Sequence, residues 1–189
     1  MDHVVRIGCG AGFWGDSPEG PAQLVRSGRI DYLVMDYLAE ITMSILARMK
    51  AKRPDLGYAT DFVTMVMKPL AREIADRRIR VVTNAGGVNP QACRDALLGV
   101  FREAGVDLKV AVVLGDDLAA SADRYRAEGV REMFSGAPIP ERLASVNAYL
   151  GAFPIAAALD DGADVVITGR AVDSAVVLGP LIHEFGWRP

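Results

Sequence analysis

The sequence predicts an α/β protein: a mostly parallel sheet flanked by helices, in a three-layer (αβα), Rossmann-like arrangement. Short apolar runs alternate with longer segments of helical periodicity, and glycine-rich or polar turns follow the apolar runs. One run, residues 108–114, is almost continuously apolar, which is typical of a parallel strand covered on both faces. A barrel-like closure of the same alternation stays open as an alternative.

Five apolar runs predict the strands. They are residues 4–8, 32–35, 79–82, 108–114 and 164–168. Helical patterns fill the segments between them, with glycine or proline near several of their ends. Helices are predicted over 18–28, 36–53, 60–77, 90–105, 119–127, 141–150 and 153–159, and from 174 onward.

Two of these helices have a well-defined apolar face. In the helix that Asp36 is expected to cap, the residues predicted to face inward are Leu38, Ile41, Ile45 and Leu46. In the helix over 60–77, they are Phe62, Met65, Val66, Leu70 and Ile74. Both faces would pack on the sheet.

Length and composition predict one domain over residues 1–189. A chain of 189 residues with 51% hydrophobic residues can bury a substantial core. The net charge is -3 with both signs interspersed, which argues against nucleic acid or a membrane as a partner. Met1, Asp2 and His3 are expected to lead directly into a strand without a targeting leader, so we expect a cytoplasmic protein.

The sequence leaves cofactor and metal open. Two cysteines and two histidines, without a C-x-x-C pair, make an ordinary zinc cluster implausible. The substrate is expected to be a small molecule that binds where the strands end, because ligands of parallel α/β sheets bind beyond the carboxyl ends of the strands. The turns at those ends are residues 10–16, Asp36, 84–89, 115–117 and 169–173.

The turn after the third predicted strand is rich in glycine and amide side chains. Gly86 and Gly87 leave the backbone accessible, and Asn84 and Asn89 flank them with neutral donors and acceptors. Asn89 before Pro90 is also a helix-cap pattern, which places free N–H groups behind the turn. These amides are candidates for binding a substrate carbonyl, and a tight turn without a ligand is the alternative.

Gly10 and Gly12 follow the first predicted strand and are candidates for the same role. With Gly15 they form G-x-G-x-x-G, and Asp36 lies where a ribose-binding acid would be expected. However, residues 16–18 delay the helix and bring a carboxylate where a pyrophosphate would bind. Dinucleotide binding is therefore a weaker hypothesis.

Four acids and one arginine are the candidate chemical groups. Asp36 and Glu40 are four residues apart at a predicted helix start, so they could share a face as an acid and a base or as cation ligands. Asp116 and Asp173 follow later strands and are further candidate proton-transfer groups. Arg170 is the candidate for binding a carboxylate or phosphate. The alternatives are helix capping for the acids and a structural ion pair for Arg170.

Several stretches resemble one known family. They include IGCGAGFWGDSPEG (7–20), DYLVMDYLAEITMSILAR (31–48), GYATDFV (57–63), VTNAGGVNPQAC (82–93), VAVVLGDDL (110–118), NAYLGAFPIAAAL (147–159) and GADVVITGRAVDSAVVLGPL (162–181). On these motifs the chain resembles the acyclic terpene utilisation family, which takes part in the breakdown of citronellol and geraniol. The resemblance implies the amino-terminal part of a longer family architecture, and it assigns no reaction and no catalytic residue.

The resemblance implies a role in isoprenoid catabolism at the stage of coenzyme A thioesters. We therefore expect the protein to act on a branched acyl-CoA or a related small carbonyl substrate. If it is an enzyme, we expect a reaction of hydratase or lyase type. We also expect a homo-oligomer. A non-catalytic acyl-thioester-binding or assembly subunit and an NAD(P)-dependent oxidoreductase are the alternatives.

Overall fold

The computed structural model describes residues 3–188 and contains one open parallel sheet. Its strands are β1 (Ile7–Ala11), β2 (Tyr32–Met35), β3 (Arg80–Thr83), β4 (Val110–Val113) and β5 (Val165–Thr168). They lie in the order β1-β2-β3-β5-β4, and every neighbouring pair is parallel. The predicted α/β class is confirmed, and the barrel-like alternative is wrong because β1 and β4 do not pair. The expectation for Met1 and Asp2 lies outside the described residues.

Seven α-helices connect or follow the strands in the described range. They are α1 (Glu19–Ser27), α2 (Glu40–Lys52), α3 (Lys68–Arg77), α4 (Pro90–Ala104), α5 (Ala122–Ala127), α6 (Phe153–Asp160) and α7 (Ala175–Phe185). A π-helix, Phe62–Met67, precedes α3, and a 3₁₀ turn, Ala119–Ser121, precedes α5. No helix within residues 3–188 has both the length and the apolar character needed to cross a bilayer.

Alternate side chains of the strands pack into two separate cores. Leu33 and Met35 lie in a core with residues of α1, α3, α4 and the π-helix. Tyr32 and Val34 lie in a second core with residues of α6 and α7. Helices therefore cover both faces of the sheet, which confirms the predicted three layers.

The strand order creates a topological switch point between β3 and β5. The chain passes from β3 into α4 on one face of the sheet and from β5 into α7 on the other face. Since β3 and β5 are neighbours, the segments that leave their carboxyl ends diverge there. A ligand crevice is expected at such a point.

The first and fourth strands differ from their predicted bounds. β1 begins at Ile7 rather than Val4 and extends to Ala11, because its pairing follows β2 from Tyr32 to Met35. β4 is shorter than 108–114 since its partner β5 offers only four residues. The prediction that β4 is covered on both faces is only partly right, because β4 is an edge strand whose first three residues are half-buried.

The helix after β2 begins four residues later than predicted. Ala39 precedes its first turn, and Asp36 lies outside the helix, with its Oδ1 accepting the Leu38 amide at 3.3 Å. Because Leu38 lies outside the helix, the face of α2 that packs inward differs from the predicted face. Leu38 and Leu46 are buried as predicted, but Ile41 and Ile45 are 71% and 42% exposed. The inward residues of α2 are Thr42, Met43, Leu46 and Ala47.

The predicted helix over 60–77 contains the π-helix, and one of its predicted inward positions is wrong. Phe62, Val66, Leu70 and Ile74 are buried as predicted. Met65 is 52% exposed, and Met67 takes the inward position instead. Continued back from Leu70 and Ile74 at 3.6 residues per turn, the helical period already places Met67 on the inward side and Met65 on the outer side.

The predicted helix over 141–150 is wrong. This segment is irregular and pairs with turns at the carboxyl edge of the sheet, since the Ala148 amide donates to the Asp116 carbonyl and the Leu150 amide to the Arg170 carbonyl, at 2.8 and 3.2 Å. Isolated bridges join Asn147 to Asp117 and Leu150 to Ala171. Non-local backbone hydrogen bonds thus replace the local ones of a helix.

Candidate functional site

The candidate site lies at the carboxyl edge of the sheet, where side chains after four strands are joined by hydrogen bonds. Asp36 follows β2, Asn84 follows β3, Asp116 lies beyond β4 and Arg170 follows β5. Asn84 contacts Asp36, and Arg170 contacts both Asp116 and the backbone after Asp36. The parallel direction of the strands therefore brings these four distant residues together.

Asp36 is a half-buried carboxyl group with one of its oxygens fixed. Asn84 Nδ2 donates to Oδ1 at 2.6 Å, and Asn84 Oδ1 accepts the Tyr37 amide at 2.7 Å. No described residue donates to Oδ2 of Asp36. Burial raises the pKa of Asp36 and the charge of Asp173 adds to this, while the hydrogen bonds from Asn84 and Leu38 and the charge of Arg170 oppose it.

Arg170 is buried at the centre of the cluster and holds several elements together. Its Nη1 donates to the Leu38 carbonyl at 2.7 Å and to Asp173 Oδ1 at 3.2 Å. Its guanidinium carbon lies 4.1 Å from the centre of the Tyr149 ring. Its Nε is buried and has no hydrogen-bond partner among the described residues. A rigid cation therefore lies beside Asp36, while Asp173 itself is exposed.

Glu40 reaches the same cation from α2. Its Oε1 lies 3.6 Å from Arg170 Nη2 and accepts a hydrogen bond from the Tyr149 hydroxyl. That hydrogen bond is the main reason why the pKa of Glu40 lies below its usual value, and Arg170 adds to the effect. The prediction that Asp36 and Glu40 share a helix face is wrong because only Glu40 is helical.

Asp116 has the role of a structural clamp. Its Oδ2 accepts the Arg170 amide at 2.8 Å and Asn147 Nδ2 at 2.9 Å. A Cβ atom at Gly169 would lie only 2.4 Å from this carboxylate, so the two turns pack closely. Burial raises the pKa of Asp116, although the two hydrogen bonds act against it. Asp117 caps the following turn by accepting the Ala119 amide at 2.9 Å.

Tyr149 and Asn147 belong to this cluster but were not among the predicted site residues. Both lie in the segment that the sequence suggested was helical, and no periodic pattern places them at the sheet edge. Both lie in the motif NAYLGAFPIAAAL, residues 147–159, which was one of the stretches that carried the family resemblance. That motif was the one available signal for them.

The glycines after β3 allow close packing. A Cβ atom at Gly86 would lie 2.5 Å from the Thr168 carbonyl oxygen, and one at Gly87 would lie 2.5 Å from Leu46 Cδ1. The Ala85 amide donates to Thr83 Oγ1, and the Gly87 amide donates to the Asn84 carbonyl. These two amides are therefore occupied in this conformation and do not point to a substrate carbonyl.

Asn89 also differs from its predicted role. Its side chain makes no capping hydrogen bond to α4, and its Nδ2 donates instead to the carbonyls of Pro54 and Leu56 at 2.9 and 2.8 Å. Asn89 thereby holds the segment after α2 against the turn after β3. α4 begins at Pro90 as the sequence predicts.

The loop after β1 does not have the geometry of a dinucleotide site. Gly10 lies under α1, where an added Cβ would meet Leu33 and Pro21 at 3.0 and 3.1 Å. The Gly12 amide donates to Asp16 Oδ2 at 3.0 Å. Hydrogen bonds from the Gly12 and Ser17 amides hold the pKa of Asp16 below its usual value. A carboxylate thus occupies the amide that a pyrophosphate would need.

No group of three or more histidine, cysteine, aspartate or glutamate side chains within residues 3–188 is arranged to hold a metal ion. The carboxyl edge instead offers one half-buried carboxyl with a free oxygen, one buried cation and an aromatic hydroxyl. Such a set suits proton transfer next to a group that develops negative charge.

Comparison with known proteins gives one match. The family model described as "Acyclic terpene utilisation family protein AtuA" matches residues 5–189. No curated protein and no solved structure matches the chain significantly. The match spans all four strand ends that form the cluster.

Proposed function

The chain belongs to the acyclic terpene utilisation family, and on that premise we propose that it is a catabolic enzyme acting on a branched acyl-CoA or a related small carbonyl compound. The family description supports a part in acyclic terpene utilisation. Asp36 is the proposed proton-transfer group. Arg170 is the proposed stabiliser of negative charge on the substrate oxygen.

The observation that carries this proposal is the environment of Asp36. Its Oδ1 accepts hydrogen bonds from Asn84 Nδ2 at 2.6 Å and from the Leu38 amide at 3.3 Å, while its Oδ2 has no described donor. Burial raises the pKa of Asp36 above its usual value, which makes this carboxylate a stronger base than an exposed aspartate. A fixed carboxyl with one free oxygen is suited to proton transfer at the carbon next to a carbonyl.

Arg170 supports the same chemistry by its charge and its rigidity. Because Leu38, Asp173 and the Tyr149 ring hold the guanidinium, the cation does not have to reorganise when charge develops on a substrate. Proton transfer beside a stabilised enolate is the common step of hydratase- and lyase-type reactions on acyl thioesters. The proposed reaction class is therefore hydration, dehydration or carbon–carbon cleavage of such an ester.

Replacement of Asp36 tests the proposal. We expect Asp36→Asn to reduce kcat on citronellyl-CoA or geranyl-CoA derivatives by a factor of about 100 or more, because asparagine keeps the acceptor for Asn84 but cannot exchange the proton. Asp76→Asn, which changes an exposed aspartate on α3, is the matched control and should keep full turnover. Full turnover by folded Asp36→Asn protein would overturn the assignment.

A second candidate is a non-catalytic subunit that binds an acyl thioester or a partner enzyme. It is favoured by the exposed apolar side chains near the cluster, which are Ile41, Ile45 and Tyr149. Capture of partners from cells grown on citronellol, followed by assay of the isolated chain on the candidate thioesters, separates the two functions. A partner without turnover favours the second, and turnover by the isolated chain favours the first.

A further inference from the structure

The helix layer formed by α6 and α7 has an apolar outer side. α6 packs on the sheet through Ile155, Ala156 and Leu159, which belong to the second core. Residues on the other side of the two helices, together with one residue just after α7, are exposed to solvent. We call them the α6–α7 face: Phe153, Pro154, Ala157, Leu178, Phe185 and Trp187.

These residues form one surface because α6 and α7 lie side by side. A Cβ atom at Gly179 would lie 2.4 Å from Ile155 Cγ2, and His183 Nδ1 lies 2.5 Å from Asp160 Oδ1. Both contacts keep the same order along the chain, so the two helices run in the same direction. Beyond α7, the rings of Phe185 and Trp187 stack with their centres 5.5 Å apart and extend the surface.

The α6–α7 face lacks the charges that cover the helices on the opposite side of the sheet. No charged residue occurs in the sequence at 147–159 or at 174–182. α3, by contrast, has a charged residue at half of its positions: Lys68, Arg72, Glu73, Asp76 and Arg77. Helices that are apolar on nearly all sides are normally buried on all sides. The composition of α6 and α7 therefore indicates that another layer covers them.

The absence of charge favours a second copy of this chain as that layer. A two-fold interface brings the same residues of both chains together, so a surface of one charge sign would repel itself. Uncharged apolar side chains are self-complementary. Interfaces between identical chains are also more apolar than those of transient complexes.

The exposed apolar area agrees with this choice. The rings of Phe153, Phe185 and Trp187 are between 41% and 50% exposed. Each of these rings then offers roughly 60–125 Å². With Leu178 and the two smaller residues, the face offers on the order of 400 Å² of apolar surface. A standard interface between identical chains buries about 800 Å² per partner, of which about 65% is apolar. The two apolar areas are comparable.

We propose that the chain forms a two-fold symmetric dimer through the α6–α7 face, with the paired helices of both copies packed as a layer of four between the two sheets. This interface is independent of the proposed function, because Asp36 and Arg170 lie at the carboxyl edge of the sheet and outside the face. The segment that carries Asn147 and Tyr149 leads into α6. The dimer therefore also restrains one wall of the candidate site.

Analytical ultracentrifugation of the purified chain tests the dimer. Between about 1 and about 100 μM, the range that a standard interface requires, we expect the mass to reach about twice the 20.2 kDa of one chain. Leu178→Glu should raise the dimer Kd at least about tenfold, because it buries a charge in each half of the interface. Phe153→Glu is a second variant with the same expected result, and circular dichroism checks that both are folded.

Met65→Glu is the matched control. Met65 is also an exposed apolar residue, but it lies in the π-helix on the opposite side of the sheet. This variant should dimerise as the unchanged chain does. A dimer that Leu178→Glu and Phe153→Glu leave unchanged would overturn the proposal, and so would a chain that stays monomeric at about 100 μM.

Hydrogen exchange at low and high protein concentration locates the interface without any substitution. We expect amides of residues 153–160 and 175–187 to become more protected at high concentration, while those of α3 and α4 stay unchanged. Protection confined to other helices would overturn the proposal. Co-sedimentation with phosphatidylcholine vesicles tests a lipid surface as the other apolar partner. Vesicle binding by a chain that remains monomeric would assign the face to lipid and overturn the dimer.

Discussion

The side-chain amide of Asn84 donates to the carboxyl of Asp36 at 2.6 Å and so links the carboxyl ends of β3 and β2. Asn84 is fully buried and also accepts the Tyr37 amide, so it fixes the backbone after β2 as well as the acid. The position of Asp36 is thus determined by a neighbouring strand.

The first prediction concerns pH and Asp36. Its pKa in the folded chain is raised above the ordinary value of 3.8, so protonated Asp36 stabilises the fold below that value, and the contribution is lost as pH rises through the folded-state pKa. Asp36→Asn should remove this dependence. Urea unfolding at a series of pH values should show the unchanged chain losing stability relative to Asp36→Asn as pH rises from about 3 to about 7. If the difference in unfolding free energy between the unchanged chain and Asp36→Asn stays constant over this pH range, the prediction is wrong.

The second prediction concerns the glycine turn after β3. Gly86→Ala places a Cβ atom 2.5 Å from the Thr168 carbonyl oxygen and 2.6 Å from Pro90 Cβ, so we expect a loss of about 3 kcal/mol in the free energy of unfolding. Gly99→Ala is the matched control, since it lies within α4 and its Cβ would meet nothing closer than 3.8 Å. It should stabilise by about 0.5–1 kcal/mol because alanine is the better helix former. Thermal or denaturant unfolding measures the stability of both variants. Equal changes in unfolding free energy for Gly86→Ala and Gly99→Ala would argue against the close packing at Gly86.

The third prediction concerns the register of the π-helix. Met67→Ala should cost about 2–5 kcal/mol because Met67 is fully buried. Met65→Ala should change stability by no more than about 0.5 kcal/mol, since half of this side chain is exposed. Denaturant unfolding of the two variants measures both costs, and equal or reversed costs would contradict the assignment of Met67 to the core.

The fourth prediction concerns two buried tyrosines, Tyr32 at the start of β2 and Tyr37 two residues after its end. The Tyr32 hydroxyl donates to Glu184 Oε1 at 2.6 Å and accepts from Arg80 Nη1 at 2.8 Å. Tyr32→Phe removes both hydrogen bonds and should cost about 1–3 kcal/mol.

Tyr37→Phe is the control for that measurement. The Tyr37 hydroxyl has only the Met35 sulfur as a partner within the described residues, at 3.6 Å, so its loss should change the unfolding free energy little. Because Tyr32 lies at the amino edge of the sheet, turnover should be unaffected in Tyr32→Phe. Equal stability losses in the two variants would show that the Glu184 and Arg80 contacts contribute nothing.

The convergence of the candidate site could be predicted from the sequence because it depends only on strand direction. Asp36, Asn84, Asp116 and Arg170 each follow an apolar run, and parallel strands place all such turns at one edge. The fold class followed from the same alternation of strands and helices. Neither inference required knowledge of individual side-chain contacts.

The contacts within the site could not be predicted in the same way. Tyr149 and Asn147 reach Arg170 and Asp116 because residues 146–150 form backbone hydrogen bonds with turns at 116–118 and at 170–172. Such pairing leaves no period in the sequence, and the apolar residues of 141–150 fit a helix by chance. The error at Met65 has a different origin, because the helical period continued back from Leu70 and Ile74 favours Met67 as the inward residue.

The position of β5 between β3 and β4 constrains the order in which the chain can assemble during synthesis. β1, β2 and β3 are neighbours in sequence and in the sheet, so they can associate as soon as residue 83 has left the ribosome. β4 has no sheet partner until β5 is made, more than fifty residues later, because β5 is its one neighbour. The Asp36–Asn84 pair therefore belongs to the part that can form first, whereas Arg170 and Asp116 join it only when the last strand inserts.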